Sequence, residues 1–274
     1  MKSATLFVRF SASNRSLQRT RLNFHSQWKS IYHGFQLSGV RRLASGLTLL
    51  AAYTFGQTID QGSFPTARLG LVNGTVPQNA NDFRSERGLA NFDQRNRFTL
   101  SGVWELPWAS KSRGWRRAAL AGWQFAPLLT LAGGQPFLVV DGTDPNADGV
   151  IDRPDVIRNP NLPKGERTLN RFWDTGAFVR LPPGTNRFGN SGRNIVIGPG
   201  LANLDAALSK RFPLTETLQL LFRTEAFNVT NHPNFVGVGG GSPINNITSP
   251  LFGQILATVP NNERILQFSL RLTF

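Results

Sequence analysis

The chain has 274 residues, no cysteine and a formal net charge of +14. The lack of cysteine excludes disulfides and thiolate metal sites, and the lack of any run of 18 apolar residues argues against a transmembrane helix. The positive charge is compatible with nucleic-acid binding. However, the basic residues are dispersed, as at Arg223 and Arg271, and they form no nucleic-acid-binding motif. We therefore expect this charge at solvated turns and on a polar lumen surface.

Seven segments alternate apolar and polar residues with a period of two, which is typical of β-strands with two different faces. In chain order, strands are predicted over residues 31–42, 47–59, 96–108, 122–132, 201–212, 217–228 and 264–274. Residues 5–10 form a weaker eighth candidate. Pro127 lies on the apolar face of the fourth segment, where it removes one donor from the hydrogen-bond ladder.

The connections between these segments alternate in length. Residues 43–46 and 213–216 are tight turns, and residues 108–121 form a moderately short link. The other connections are long, polar and rich in Gly, Pro and Asn, and they cover residues 60–94, 133–200 and 229–263. Alternating short turns and long loops indicate an outer-membrane barrel with extracellular loops, because a compact soluble domain seldom carries several structureless loops of this size.

Aromatic residues favour the same interpretation. If the short turns are periplasmic, aromatic side chains collect near both ends of the strands, as an interfacial girdle requires. The periplasmic group is Trp104, Trp108, Trp123, Phe212 and Phe274, and the outer group is Tyr53, Phe55 and Phe98. The alternative is that these rings fill the core of a soluble β-sandwich.

Several segments resemble TonB-dependent receptors, most closely the Oar-like barrels of Acidobacteria and their relatives. In order they are LTLLAAYTFGQTID (47–60), DQRNRFTL (93–100), GWQFAPLLTLAGGQPF (122–137), DRPD (152–155), RFGNSGRNIVIGPG (187–200) and EAFNVTNHPNF (225–235). The likeness covers about residues 31–274, whereas residues 1–30 match poorly and contain no convincing signal peptide.

The resemblance implies an all-β chain that forms the carboxyl-terminal part of a larger barrel, about 22 strands in such receptors. It further implies residence in the outer membrane of a Gram-negative bacterium and import of a solute by the complete protein. Contact with the TonB system would depend on a plug region that this chain lacks. The expected partners are outer-membrane lipid and the outer-membrane assembly machinery, with no nucleic acid. The machinery would recognise a terminal targeting strand, formed by Leu266, Phe268, Leu270, Leu272 and Phe274.

Two alternatives stay open at this point. Eight strands can close a narrow barrel that serves as a structural protein or adhesin, and a soluble basic β-protein can bind nucleic acid. If the seven or eight strands belong to a larger barrel, we expect an open, curved antiparallel sheet with two unpaired edges.

An acidic loop has the spacing of a calcium-binding loop of the EF-hand type. Gly149 occupies loop position 6, where a sharp turn is needed. The candidate ligands at positions 1, 3, 5, 7, 9 and 12 are Asp144, Asn146, Asp148, the Val150 carbonyl, Asp152 and Asp155. Position 12 is Asp where such loops carry a bidentate Glu, and the segment predicts no flanking helices. The alternative is a surface turn that needs no metal.

Other chemistry is sparse. The three histidines lack metal-ligand spacing, and no nucleophile–base pair or phosphate-binding loop is present. We therefore expect no enzymatic activity, no catalytic residues and no required cofactor, with Ca²⁺ as the one candidate ion.

Overall fold

A computed structural model describes residues 29–43, 46–63, 77–79, 81–108, 112–236 and 245–274. In chain order, the strands are β1 (Ser30–Leu43), β2 (Leu47–Asp60), β3 (Gly88–Leu89), β4 (Asn96–Glu105), β5 (Trp123–Ala132), β6 (Pro136–Phe137), β7 (Asp155–Val156), β8 (Phe178–Val179), β9 (Val196–Ile197), β10 (Leu201–Pro213), β11 (Gln219–Phe227) and β12 (Ile265–Thr273). One α-helix, α1 (Gly114–Leu120), and two 3-10 turns, Lys164–Glu166 and Thr175–Ala177, complete the elements of the described residues. None of these helices is long and apolar enough to cross a membrane.

The seven predicted strands are confirmed as the seven long strands of one sheet. The third predicted strand is shorter than expected and ends at Glu105. Pro107 explains this end, because proline has no N–H to donate to a ladder. The helix α1 was not predicted, since the link that contains it is short and basic. The weak strand predicted over residues 5–10 lies outside the described residues.

The long strands follow one another across the sheet in the order β1-β2-β4-β5-β10-β11-β12, and each is antiparallel to its neighbour. The short strand β3 pairs with the end of β2. The sheet is open, because β1 and β12 each pair with one long strand only among the described residues. Seven strands joined by six antiparallel steps also place β1 and β12 in the same direction.

The strand register separates two faces across the whole sheet. On one face, Leu100 lies opposite Leu129, which lies opposite Leu204. On the other face, Thr99 lies opposite Thr130, which lies opposite Asn203. Directly opposed residues share a face of the sheet, so the alternation within each strand becomes one apolar and one polar surface.

Pro127 interrupts the ladder on one side only. Residues 126 and 127 of β5 have no ladder partner in β4, although the register is the same before and after the gap. On the other side, Pro127 stays paired with Ala206 of β10. Gly102 of β4 lies across the gap, and a side chain there would meet the Leu49 methyl at 2.9 Å and the Pro127 ring at 3.9 Å. Because proline has no N–H, pairing with β4 is interrupted at Pro127, while pairing with β10 and the register on both sides are kept.

The long connections are not structureless, contrary to the prediction. We name them L1 (residues 61–95), L2 (residues 133–200) and L3 (residues 228–264). The parts of them that the structure describes form a loop cap at one end of the sheet. L2 contains β6–β9 and β7–β8, two small two-stranded sheets. Among the described residues, every buried apolar side chain lies outside the seven long strands, and most belong to L2. The compact core is thus in the cap, and no other described segment covers either face of the sheet with a buried apolar core.

The core of the cap is built around Trp173, which is 1% exposed. Its ring makes edge-to-face contacts with Phe137 at 5.0 Å, Phe252 at 5.9 Å and Phe172 at 6.2 Å between ring centroids. Phe252 belongs to L3, and backbone hydrogen bonds such as Phe172 N–H to the Gly253 carbonyl (2.8 Å) join L2 to L3 as well. Aromatic contacts of this kind stabilise a core beyond the area that they bury.

Candidate functional site

The acidic loop of L2 is closed at its base by backbone hydrogen bonds. The Asp141 N–H donates to the Asp152 carbonyl (2.8 Å), and the Asp152 N–H donates to the Thr143 carbonyl (3.2 Å). We call residues 144–152 the acidic turn. Its chain reverses through Ala147 and Gly149, which have φ angles of 58° and 87°. Gly149 therefore has the left-handed conformation that the sequence predicted at this position.

Carboxylates organise the interior of the acidic turn. The Asp144 carboxylate accepts hydrogen bonds from the N–H groups of Asp148 (3.1 Å) and Gly149 (2.8 Å). The Asp148 carboxylate accepts one from the Val150 N–H (2.9 Å). Asn146 Oδ1 also accepts from the Asp148 N–H (3.2 Å). Four of the predicted ligand side chains, including Asp152 described next, thus belong to one tight turn.

Asp152 is the buried member of this turn. It is 0% exposed, and its Oδ2 atom has no hydrogen-bond partner among the described residues. Its Oδ1 atom receives a long contact, 3.5 Å, from the Asn146 amide nitrogen. Burial raises the pKa of the Asp152 carboxyl, and the nearby carboxylates of Asp148, Asp144 and Asp141 add to this effect, so the value reaches about 6. A buried carboxylate without a cationic partner is costly.

Asp155, the predicted ligand at position 12, is engaged elsewhere. Both of its carboxylate oxygens accept hydrogen bonds from the Arg187 guanidinium, at 2.9 and 2.6 Å, and Oδ1 also accepts from the Asn190 N–H at 3.0 Å. The hydrogen bonds from Arg187 hold the pKa of this carboxyl below its usual value. The sequence could not indicate this pair, because Arg187 lies 32 residues further along the chain.

The carboxylates of the acidic turn belong to one short segment, but their oxygens do not converge on a common point as metal ligands do. No three His or acidic side chains within the described ranges are placed to hold a metal ion as they stand. Binding of a cation would therefore need a small rearrangement of the turn.

Two buried arginines that the sequence analysis missed connect L2 to L1. Arg153 donates to the Glu86 carboxylate at 3.0 Å, and both side chains are 5% exposed. Gln78 bridges the same two residues, since its N–H donates to Glu86 (3.0 Å) and its Oε1 accepts from the Arg153 N–H (2.8 Å). Arg153 directly follows Asp152, so the base of the acidic turn is fixed to L1.

Arg193 makes the second connection, to the end of β2. Its guanidinium forms a buried ion pair with the Asp60 carboxylate and donates to the carbonyls of Asp60 (2.8 Å) and Glu86 (2.8 Å). It also donates to the Ser63 hydroxyl at 3.1 Å. Nothing in the local pattern around Arg193 indicated these contacts, because they join residues more than 100 positions apart.

A second polar feature lies at the opposite end of the sheet. Lys210 is 2% exposed although it occupies the apolar face, opposite Trp123 and Phe222. Its ammonium donates to the carbonyls of Ala119 (2.6 Å) and Ala121 (2.9 Å) at the carboxyl end of α1. A charged group is thus satisfied by backbone at the edge of the apolar face. Lys210 also lines a cavity of about 650 Å³, together with polar residues such as Glu105 and Arg211 and apolar residues such as Leu106 and Trp123.

The predicted terminal targeting strand forms the exposed edge strand β12. Leu266, Phe268, Leu270 and Leu272 lie on the apolar face of the sheet, and their exposed fractions lie between 51% and 69%. The predicted fifth member, Phe274, directly follows β12 and is 95% exposed.

The predicted separation of aromatic residues agrees with the register. Near the short turns, Trp104 lies opposite Phe125. Near the loop cap, Tyr53 lies opposite Phe98. An open antiparallel sheet with one apolar face, aromatic rings near both ends and its compact core in the long loops defines a membrane-embedded barrel protein.

A comparison with known families agrees with this class. Residues 8–267 match the model of the outer membrane beta barrel domain, so the chain belongs to that family and resides in the outer membrane. Comparisons with curated proteins and with solved structures found no match.

Membrane placement predicts a large difference between neighbouring positions of β5. Leu129→Arg puts a charge on the apolar face, between Leu100 and Leu204, and should cost about 2–4 kcal/mol if the position is near the bilayer midplane. Thr130→Arg is the matched control on the polar face and should assemble nearly normally. The measurement is the yield of protease-resistant protein in outer membranes of cells that make each variant. Equal yields would show that the Leu129 face does not contact lipid.

Proposed function

We propose that this chain is the carboxyl-terminal barrel portion of a TonB-dependent receptor, whose complete form binds and imports a solute. The main structural support for this proposal is that the sheet of the described residues is open. Bacterial single-chain barrels have an even number of antiparallel strands, whereas β1 and β12 run in the same direction and cannot pair with each other in an antiparallel ladder. At least one further strand, beyond those of the described residues, is needed to close a barrel, and a receptor of the proposed kind would supply many.

Energetics favour the same conclusion. Each unpaired backbone N–H or C=O within the hydrocarbon costs several kcal/mol, on the order of the penalty for a buried unsatisfied polar group. The long strands β1 and β12 would expose such groups along their outer edges. Pairing with the remaining strands of a larger barrel removes this cost at both edges.

The loop cap supports a role in solute binding. Extracellular loops that form a packed core and buried ion pairs present a defined surface at the barrel mouth, as ligand recognition requires. We propose that the cap contributes to the outer face of the solute site. The protein would act as a receptor and transporter without enzymatic activity or a catalytic cofactor.

The proposed partners follow from this role. Outer-membrane lipid would cover the apolar face, and the assembly machinery would bind β12 as a targeting strand. The TonB system would act through a plug region encoded upstream, and nucleic acid is not a partner in this proposal.

Production of two versions of the protein tests the proposal. One contains residues 1–274, and the other adds the upstream reading frame of the same gene; both carry the same outer-membrane signal. We expect only the longer version to migrate differently in unheated and heated samples on gels, which is typical of a closed barrel. We also expect only the longer version to cross-link to TonB in cells, because that contact needs the plug.

The small-barrel alternative predicts the reverse. A 274-residue chain that is monodisperse in detergent, heat-modifiable and unaffected by upstream sequence would be a closed barrel on its own. That result would contradict the receptor proposal. A chain that stays folded and monodisperse without any detergent would instead favour the nucleic-acid-binding alternative.

A further inference from the structure

The acidic turn concentrates negative charge within a strongly basic protein. Residues 144–152 include three aspartates and no basic residue, although the whole chain has a formal net charge of +14. Arg153 forms its ion pair with Glu86, and Arg180 forms its ion pair with Asp141 at 3.0 Å. Neither arginine makes an ion pair with a carboxylate of residues 144–152, so the acidic turn has no direct cationic partner among the described residues.

We propose that the acidic turn binds one calcium ion. The ligands would be carboxylates of Asp144, Asp148 and Asp152, the amide oxygen of Asn146 and the backbone carbonyl of Val150. These are hard oxygen donors, which calcium prefers, and a flexible turn suits calcium better than the strict octahedron of magnesium.

The buried Asp152 side chain is the observation that points to a cation. This carboxylate is 0% exposed, and its Oδ2 atom accepts no hydrogen bond from any described residue. Buried carboxylates in proteins are normally paired or bound to metal. In a simple surface turn the carboxylates are in contact with solvent, whereas Asp152 is not. The surface-turn interpretation therefore does not explain why this carboxylate is buried.

The rearrangement required for binding is local. The Asn146 amide nitrogen now faces Asp152 Oδ1 at 3.5 Å, and rotation of the amide would direct its oxygen toward the same place. The Asp144 and Asp148 carboxylates already lie within the turn, where they accept backbone hydrogen bonds. A bound cation would attract both carboxylates toward Asp152, and ligand bonds to the cation would replace some of these backbone hydrogen bonds.

Asp155 is excluded from the ligand set. Its two oxygens are both held by Arg187, and a calcium ion would have to displace that guanidinium. The site thus differs from the EF-hand pattern at position 12, and it supplies five protein ligands, with water completing the coordination. Fewer carboxylates and the absence of a bidentate Glu predict weak binding, in the range of about 10⁻⁴–10⁻³ M that extracellular calcium modules show.

The experiment uses the outer-membrane gene product in detergent, titrated with calcium chloride and followed by calorimetry and by limited proteolysis of L2. We expect one calcium per chain and slower cleavage within L2 when calcium is present. Magnesium at the same concentrations should give neither effect. Asp148→Asn and Asp152→Asn should each weaken calcium binding at least tenfold, whereas Asp155→Asn should bind calcium like the parent protein.

A calcium-free measurement separates ligation from folding. Asp152→Asn removes a buried charge, so without calcium its L2 should resist protease at least as well as the parent L2 does. Loss of binding in a variant with an intact L2 would then support the site. No binding at millimolar calcium would overturn the proposal, and so would full affinity in Asp152→Asn or loss of affinity in Asp155→Asn.

Discussion

Arg193→Ala is expected to open the loop cap, at a cost of about 3–5 kcal/mol, because it leaves the Asp60 carboxylate buried without a partner. Asp60 is 5% exposed and Arg193 is 6% exposed, so water does not replace the lost contacts easily. The carbonyls of Asp60 and Glu86 also lose a donor. Hydrogen exchange of L1 and L2 amides in the outer-membrane protein would measure the loss, while the amides of the sheet should keep their protection.

A surface ion pair provides the matched control. Arg187 pairs with Asp155 at 2.6 Å, but its side chain is 52% exposed, so Arg187→Ala should cost at most about 1 kcal/mol. The double variant Asp60→Asn with Arg193→Met should lose less than Arg193→Ala, because no charge is left unpaired. Equal losses in Arg193→Ala and Arg187→Ala would contradict the role of the buried pair.

Trp173→Ala should destabilise the cap by a similar amount, about 3–5 kcal/mol, since it leaves a large cavity in a core that is surrounded by other rings. Trp173→Phe should lose less. The indole N–H has no acceptor among the described residues, so phenylalanine removes no hydrogen bond and keeps part of the ring contacts. Exchange of amides in β8 and β9 would report the loss, since both strands belong to the same core.

An exposed tryptophan on α1 tests whether ring size alone matters. Trp115 is 75% exposed, so Trp115→Ala should change stability by no more than about 0.5 kcal/mol. If Trp173→Ala behaves like Trp115→Ala, the cap core does not hold the loops together. If Trp173→Ala also lowers protection throughout β4 and β5, the cap and the sheet unfold as one unit.

The strands and their faces could be predicted from the sequence to within a few residues. The period-two pattern around Leu100 and Leu129 is local, and each strand carries it independently of its partners. Pro127 was also interpreted correctly as the site of a missing ladder bond. These features depend on backbone geometry and on side-chain alternation, which neighbouring residues determine.

The candidate calcium site was predicted only in part. The turn from Asp144 to Asp152 formed as its spacing indicated, with Gly149 at the left-handed position. Asp155 was also predicted as a ligand, but the structure pairs it with Arg187, which is remote in sequence. A spacing motif describes which groups can converge, but it does not reveal a competing partner contributed by another part of the chain.

Short-range alternation thus determined that this protein is a sheet with an apolar side and a polar side, since period-two geometry acts on a few adjacent residues at a time. Tertiary structure decided how the loops pack around Trp173, which arginines are buried, and which partner Asp155 takes. Such contacts join residues that are distant in sequence, and their energies exist only when the chain has brought those residues together.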